Sequence, residues 1–229
     1  MLPSFQLNSR RELAKDGRRT RIVKAAYQLL REEVGAHELS MKMIADRAGV
    51  SPATVYNLFG TKAYVLEKVY EHDKVAFMKR VETAPSDSLD RIFDGMRISA
   101  DQYRADPRFY RSVMRMPDID PSETEISDEV FRIRLTFWSE LVAAAVRDGH
   151  LRPDTDAGQV GALLTHMASG ALNYWVSNMI GLEQFEHDIL YGIAALLMTY
   201  ATPAARPRLQ ARLDPATAAV NPPRQRAKA

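Results

Sequence analysis

The chain contains no cysteine, which removes disulfides, thiolate metal sites and cysteine nucleophiles together and leaves the redox compartment open. Only two of the aromatic residues, which make up 8% of the chain, are tryptophan. No charge-free apolar run reaches the ~18 residues that a membrane-spanning helix needs. The polar, basic start MLPSFQLNSRRELAKDGRR also lacks the apolar core of a secretory signal. A cytoplasmic protein with no membrane partner is expected. A Gly-rich phosphate loop, a G-x-S-x-G elbow, an H-E-x-x-H helix and an EF-hand loop are all missing, and the five histidines are scattered. The chain therefore reads as a non-enzyme with no catalytic residue, cofactor or metal site.

What is present is 229 residues with 46% hydrophobic content, enough for a substantial core in one large or two small domains. The net charge of +2 conceals a division: residues 1–62 carry 11 Lys or Arg against 6 Asp or Glu, residues 63–202 carry 14 against 22, and residues 203–229 carry 6 against 1. A basic end on an acidic body suits approach to a polyanion in one orientation. A chance distribution of solvated charge is the bland alternative.

The stretch Ser40–Leu66, SMKMIADRAGVSPATVYNLFGTKAYVL, carries the strongest pattern. Ser40 can cap a helix over residues 41–48, and Gly49 suits the left-handed backbone that ends it. Ser51 caps a second short helix with Pro52 in its first turn, and Gly60 stops it. Ala45, Gly49 and Val55 meet the needs of two crossing helices for a small residue, a flexible turn and a core plug, with Val50 and Leu58 completing the apolar underside. Ser51, Ala53, Thr54, Tyr56 and Asn57 remain outward, offering hydroxyls, an amide, a methyl and a ring to DNA. Thr61 and Lys62 then restart a helix, placing free N–H groups beside a lysine where phosphate can be held.

Across these residues, IADRAGVSPATVYNLFGTKAYVL resembles the tetracycline-repressor (TetR) family of bacterial transcriptional regulators, with agreement at Ile44, Ala45, Ala48, Gly49, Val50, Ser51, Tyr56, Phe59, Lys62 and Leu66. Leu58 departs from the histidine that many members carry there. The resemblance covers roughly residues 18–68, and beyond it only helical layout agrees. It implies an all-α fold, with an N-terminal three-helix helix-turn-helix DNA-binding domain followed by a C-terminal helical ligand-binding and dimerisation domain. Ser40, Lys42, Ser51, Pro52, Ala53, Thr54, Tyr56, Asn57 and Lys62 are the expected DNA-binding residues, with Tyr56 and Lys62 on the backbone and Ala53, Thr54 and Asn57 nearest the bases.

The rest of the chain supplies the expected boundaries. Residues 1–17 form a flexible basic arm, with Arg10, Arg11 and Lys15 leading into Arg18, Arg19 and Arg21; a phosphate or minor-groove arm and a solvated terminus are equally open. The DNA-binding domain spans 18–62, supported by a helix from Arg18 to Val34. Residues 63–202 form the effector-binding and dimerisation domain, which begins with a lever-like helix to about Thr83. Pro117–Asp128 reads as an acidic loop. A long helix from about Ser127 to Arg147 follows, then two more over 156–179 and 182–201. These last two carry Gly161, Ala168, Gly170, Ala171, Gly192, Ala194 and Ala195, so they can pair with their copies in a homodimer or simply pack within one subunit. Residues 203–229 read as a disordered basic tail.

Phe77, Met78, Met96, Tyr103, Tyr110, Met114, Phe137, Trp138 and Trp175 are the candidate lining of a cavity for an apolar or aromatic small-molecule effector. His166 and Asn173, two helical turns apart, join them as polar candidates on one strip beside Met167 and Trp175. A satisfied core histidine or an interface contact is the competing reading of His166. The partners expected are thus a double-stranded DNA operator, a small effector and a second copy of the chain. The expected function is sequence-specific regulation, as a repressor released by its effector. The rivals are a DNA-coating protein without sequence choice and a helical carrier or enzyme that keeps the headpiece only as a fold.

Overall fold

The computed structural model describes residues 10–32, 35, 38–114 and 124–214. Ten helices occur among them: α1 (Arg10–Glu32), α2 (Met41–Ala48), α3 (Pro52–Phe59), α4 (Lys62–Glu82), α5 (Ser88–Ala105), α6 (Pro107–Met114), α7 (Thr124–Arg147), α8 (Ala157–Val176), α9 (Leu182–Met198) and α10 (Arg206–Leu213). Extended pairing among the described residues is confined to one antiparallel bridge, Leu151 with Ala201. The fold is all-α. No helix is long and apolar enough to cross a membrane among the described residues.

Packing divides the chain into two compact units, residues 1–74 with 108–126, and residues 75–107 with 127–229. The sequence reading places its boundary at 62/63, whereas this division falls inside α4. The early turns of α4 bury Val65, Leu66, Val69 and Tyr70, and apolar burial rather than the start of a helix decides which unit a segment joins.

In the first unit, α1 buries Ile22, Ala25, Ala26, Leu29 and Leu30, and α6 buries Phe109, Tyr110 and Val113. A charged group is set among these rings. Asp73 of α4, 9% exposed, accepts hydrogen bonds from the Tyr110 hydroxyl at 3.1 and 3.2 Å and faces the Arg31 guanidinium of α1 at 3.6 Å. That guanidinium also stands over the Phe109 ring at 4.4 Å and the Tyr27 ring at 4.8 Å. One carboxylate thus ties three helices.

Two expectations about this unit are corrected. Residues 10–17 belong to α1 and are not a flexible arm, because good helix formers such as Glu12, Leu13, Ala14 and Lys15 extend a helix already nucleated by its buried portion. Residues 1–9 lie outside the described residues. The acidic loop ends sooner than expected, since α7 starts at Thr124; residues 115–123 are again outside the description.

The second unit brings α5, α8 and α10 against α9. Tyr103 of α5 stacks on Trp175 of α8 with ring centroids 5.1 Å apart, and Phe185 of α9 closes the cluster at 5.9 Å from Tyr103. α8 ends earlier than the periodicity implies, at Val176, with Asn178 in the left-handed conformation just after it. Gly161 lies so close to α7 that a Cβ there would stand 2.7 Å from the Ser139 backbone nitrogen. Met167 likewise fills the space beside Gly192, 2.5 Å from where a Cβ would be. These two glycines therefore serve close packing within the chain.

The disordered-tail expectation also fails for its first part. Leu209 of α10 is fully buried, Arg208 pairs with Asp87, the N-cap of α5, at 2.7 Å and with Asp90 of α5 at 2.8 Å, and Arg212 pairs with Asp90 at 2.7 Å. Residues 215–229 lie outside the description. The hydrogen bond from Arg208, outweighing partial burial, holds the Asp87 carboxyl at about 2, below its usual 3.8. A carboxylate with a depressed folded value contributes stability that is complete above its unfolded value and is lost as pH falls through the folded one. Attachment of α10 should therefore weaken between about pH 4 and pH 2. The effect should stay below about 1 kcal/mol, since the pair is partly solvated. Hydrogen exchange at the Leu209 amide, compared between the parent chain and Asp87→Asn, tests it: the variant should lose the acid-dependent step.

Candidate nucleic-acid interface

Each end of the two short helices is fixed by a local bond. The Met43 N–H donates to Ser40 Oγ at 3.2 Å, starting α2, and Gly49 ends it at φ 66° and ψ 40°, a conformation that costs other residues about 1 kcal/mol or more. The Val50 N–H then returns to the Ala45 carbonyl at 3.0 Å, closing the turn. The Thr54 N–H donates to Ser51 Oγ at 3.2 Å, and the two hydroxyls share a 2.9 Å hydrogen bond. Gly60, at φ 71°, ends α3. The Tyr64 N–H donates to Thr61 Oγ1 at 3.1 Å as α4 begins.

These bonds give α3 two unlike sides. Val55 and Phe59 are buried with Ile44 and Ala45 of α2. Ser51, Pro52, Ala53, Tyr56 and Asn57 are exposed and Thr54 is half-buried. Tyr56 keeps 55% of its surface exposed, although an aromatic ring gains from burial. Around this face, Lys42 is exposed and Ser40 and Lys62 are half-buried. The nine sequence-derived residues are thus gathered on α2, α3 and the first residue of α4. Leu58 is half-buried and its carbonyl accepts from Arg19 Nη2 of α1 at 3.4 Å, a tie that the sequence pattern did not announce. α3 spans about 12 Å at 1.5 Å per residue, which matches a major-groove width, and it contains no charged side chain.

The proposed effector residues are dispersed. Tyr110 and Met114 are buried in the first unit. Phe77, Met96, Tyr103, Trp138 and Trp175 are buried in the second, with Met78 and Phe137 half-buried there. His166 and Asn173 share the exposed side of α8, where His166 stacks on Phe131 with ring centroids 5.4 Å apart. Trp175, 1% exposed, faces the other way, which corrects the single strip expected for the three.

A cavity of about 690 Å³ opens elsewhere in the second unit, lined by Asp90, Phe93 and Arg97 of α5, by Glu183, Glu186, His187, Leu190 and Tyr191 of α9, and by Arg208, Ala211 and Arg212 of α10. None of the proposed effector residues lines it. Its ionic wall is largely self-paired: besides the Arg208 and Arg212 bridges, Arg97 meets Asp94 at 3.3 Å and Glu186 meets Arg104 at 2.7 Å.

A sequence profile of bacterial regulatory proteins of the tetR family matches residues 22–69, which run from Ile22, the first buried residue of α1 among those described, into the early turns of α4. The headpiece is similar to those of the tetR family. Outside it, likeness to known proteins is one of fold. The nucleoid occlusion factor SlmA of Vibrio campbellii is 32% identical over 78 residues, covering 34% of this chain and 40% of that factor; the chain thus spans well under half the length of this curated relative. A TetR transcriptional regulator from Rhodococcus sp. RHA1 superposes with a TM-score of 0.66 at 17% identity, over 80% of this chain and 97% of that one. SmeT, the repressor of the Stenotrophomonas maltophilia multidrug efflux pump SmeDEF, does so with 0.59 at 24% identity, over 82% and 92%. The complex of SmeT with triclosan gives 0.60 at 23% identity, over 82% and 94%.

In this headpiece the residue that sequence reasoning missed is Arg19. The sequence pattern presents it only as charge in a basic lead. Its place seven residues before the buried Ala26 was the available signal, since that spacing keeps it on the packed side of α1.

Proposed function

We propose that the protein is a homodimeric, sequence-specific DNA-binding regulator of the cytoplasm, a repressor released when a small molecule binds residues of the second unit. The uncharged, hydrogen-bonding outer side of α3 carries the reading: a helix that keeps a tyrosine, an asparagine and hydroxyls in solvent, flanked by Lys42 and Lys62, offers base-edge contacts inside a phosphate-gripping frame. Tyr56 and Lys62 take the backbone, with Lys62 at the positive end of α4, and Ala53, Thr54 and Asn57 take the bases. Ser40, Ser51 and Pro52 set the helix ends against the groove.

Two copies are required because one short helix reads too few bases to be selective, whereas two on a dyad read half-sites about 34–36 Å apart. The exposed sides of α8 and α9 suit that pairing, since Leu163, Tyr174 and Tyr191 remain 39%, 52% and 47% exposed beside the small exposed Gly170 and Ala195. A ligand that favours a dimer with mismatched half-site spacing then releases the DNA. The efflux-pump repressor complexed with triclosan shares this fold, which supports an apolar or aromatic effector held among the rings of the second unit.

The test is titration of the purified protein against labelled duplex from upstream of its own gene, at fixed salt, with unrelated duplex as competitor. Specific binding with two chains per site is expected. Tyr56→Ala should weaken it by about 10-fold, the worth of one hydrogen bond to a charged phosphate, while the unfolding free energy stays within about 0.5 kcal/mol because the ring is exposed. Equal competition by unrelated duplex would overturn sequence choice.

A further inference from the structure

The side of α1 that is apolar inside the first unit becomes basic where the helix leaves it. Ile22, Ala25 and Ala26 are buried at 0%, 3% and 0% exposure. Lys15, Arg18 and Arg19 stand seven residues before each of them in turn, two helical turns away on the same strip. From Glu12 to Gly17 every residue is exposed, so this strip runs on past the packed core. Glu12 and Asp16 lie along one edge of it. Lys15 and Arg18 have no ion-pair partner among the described residues, and Arg19 donates to Leu58 at the last turn of α3. The strip therefore emerges beside the end of the helix whose outer side is offered to bases.

We propose that Lys15 and Arg18, positioned by Arg19, form a second DNA contact that grips phosphodiester oxygens flanking the half-site read by α3. The inference rests on the DNA-binding reading above and adds to it a surface and a partner chemistry. Phosphate is the fitting partner because Lys15 and Arg18, without an ion-pair partner among the described residues, stand beside Leu13, Ala14 and Gly17, which carry no polar side-chain group, and cations along a helix need only a line of negative charge. Contact of this kind adds affinity without sequence preference. It also releases counterions, so it is read in the salt dependence of binding.

The experiment compares the full chain with the double variant Lys15→Ala and Arg18→Ala, and with Arg21→Ala and Lys24→Ala, which remove equal charge from exposed positions off the strip. Binding is measured across a salt series on a duplex with long flanks, on one trimmed to the half-sites, and on an unrelated duplex. The strip variant should flatten the slope of log K against log salt by about 1.8, at 0.9 for each lost phosphate contact. The flattening should occur on both long duplexes and vanish on the trimmed one. Lys15→Glu, a change at one exposed residue, should weaken long-duplex binding further than Lys15→Ala and provides a fold-neutral check. A parental slope in the strip variant, or equal flattening in the off-strip pair, overturns the proposal. Failure of the unaltered protein to prefer any operator counts instead against sequence-specific regulation, and the slope on unrelated duplex still decides the strip.

Discussion

Asp73→Ala is expected to destabilise the first unit by about 3 kcal/mol, the lower end for removing one partner of a buried ion pair. The change takes away the acceptor of the Tyr110 hydroxyl and the carboxylate facing Arg31, and it leaves a small void at a position 9% exposed. The Arg31 side chain is 32% exposed, so water relieves part of its charge and the larger penalties of a fully dry pair do not apply. Asp73→Asn keeps an acceptor for Tyr110 and should lose less than half as much. Urea unfolding of both variants at neutral pH measures the difference. A loss under about 1 kcal/mol for alanine would mean that the ring faces of Phe109 and Tyr27 satisfy Arg31 on their own.

Gly161→Leu should destabilise the second unit by about 3 kcal/mol, at the upper end of overpacking costs. Alanine already places a Cβ 2.7 Å from the Ser139 nitrogen and 2.8 Å from its Cα. Those are backbone atoms, so no rotamer change relieves the overlap and α8 must move away from α7. The better helix propensity of alanine returns only about 1 kcal/mol, leaving Gly161→Ala a net loss. Gly17 provides the opposite sign: nothing lies within 4 Å of its Cβ position in the exposed part of α1, and Gly17→Ala should gain up to about 1 kcal/mol. Thermal unfolding of the three variants decides it. A neutral Gly161→Ala would show that the α7–α8 contact is soft.

The headpiece was legible because its signals act over three or four residues. Ser40, Gly49, Ser51 and Gly60 each set one helix end with their own side chain or backbone freedom, and the structure places each as the pattern implies. α10 was not legible, because RPRLQARL has a single buried apolar residue, Leu209, and its ion-pair partners Asp87 and Asp90 lie more than a hundred residues earlier. The start of α1 was missed for a related reason: a helix exposed on all sides from Glu12 to Gly17 carries no apolar period.

The candidate cavity was hidden more deeply. Its walls come from three helices far apart in sequence, and their charges look like solvated surface until the helices are brought together. Periodicity finds which aromatic side chains are buried, as with Tyr103 and Trp175, but it contains nothing about whether space remains beside them. His166 and Asn173 show the same limit, since a seven-residue spacing gives one side of α8 without saying which side faces solvent.

The return of α6 to the first unit sets an order of events during synthesis. A chain that has emerged only as far as Lys74 contains the whole helix-turn-helix, yet Asp73 still lacks the Tyr110 hydroxyl and Arg31 still lacks the Phe109 ring. α5 must be made in between, although it belongs to the other unit. The nascent amino-terminal part therefore waits, with a carboxylate and ring-binding surface uncovered, until a distant segment arrives to finish it. An excised fragment stopping at the end of the sequence motif would remain in that unfinished state, so a shortened recombinant headpiece should be less soluble than the full chain.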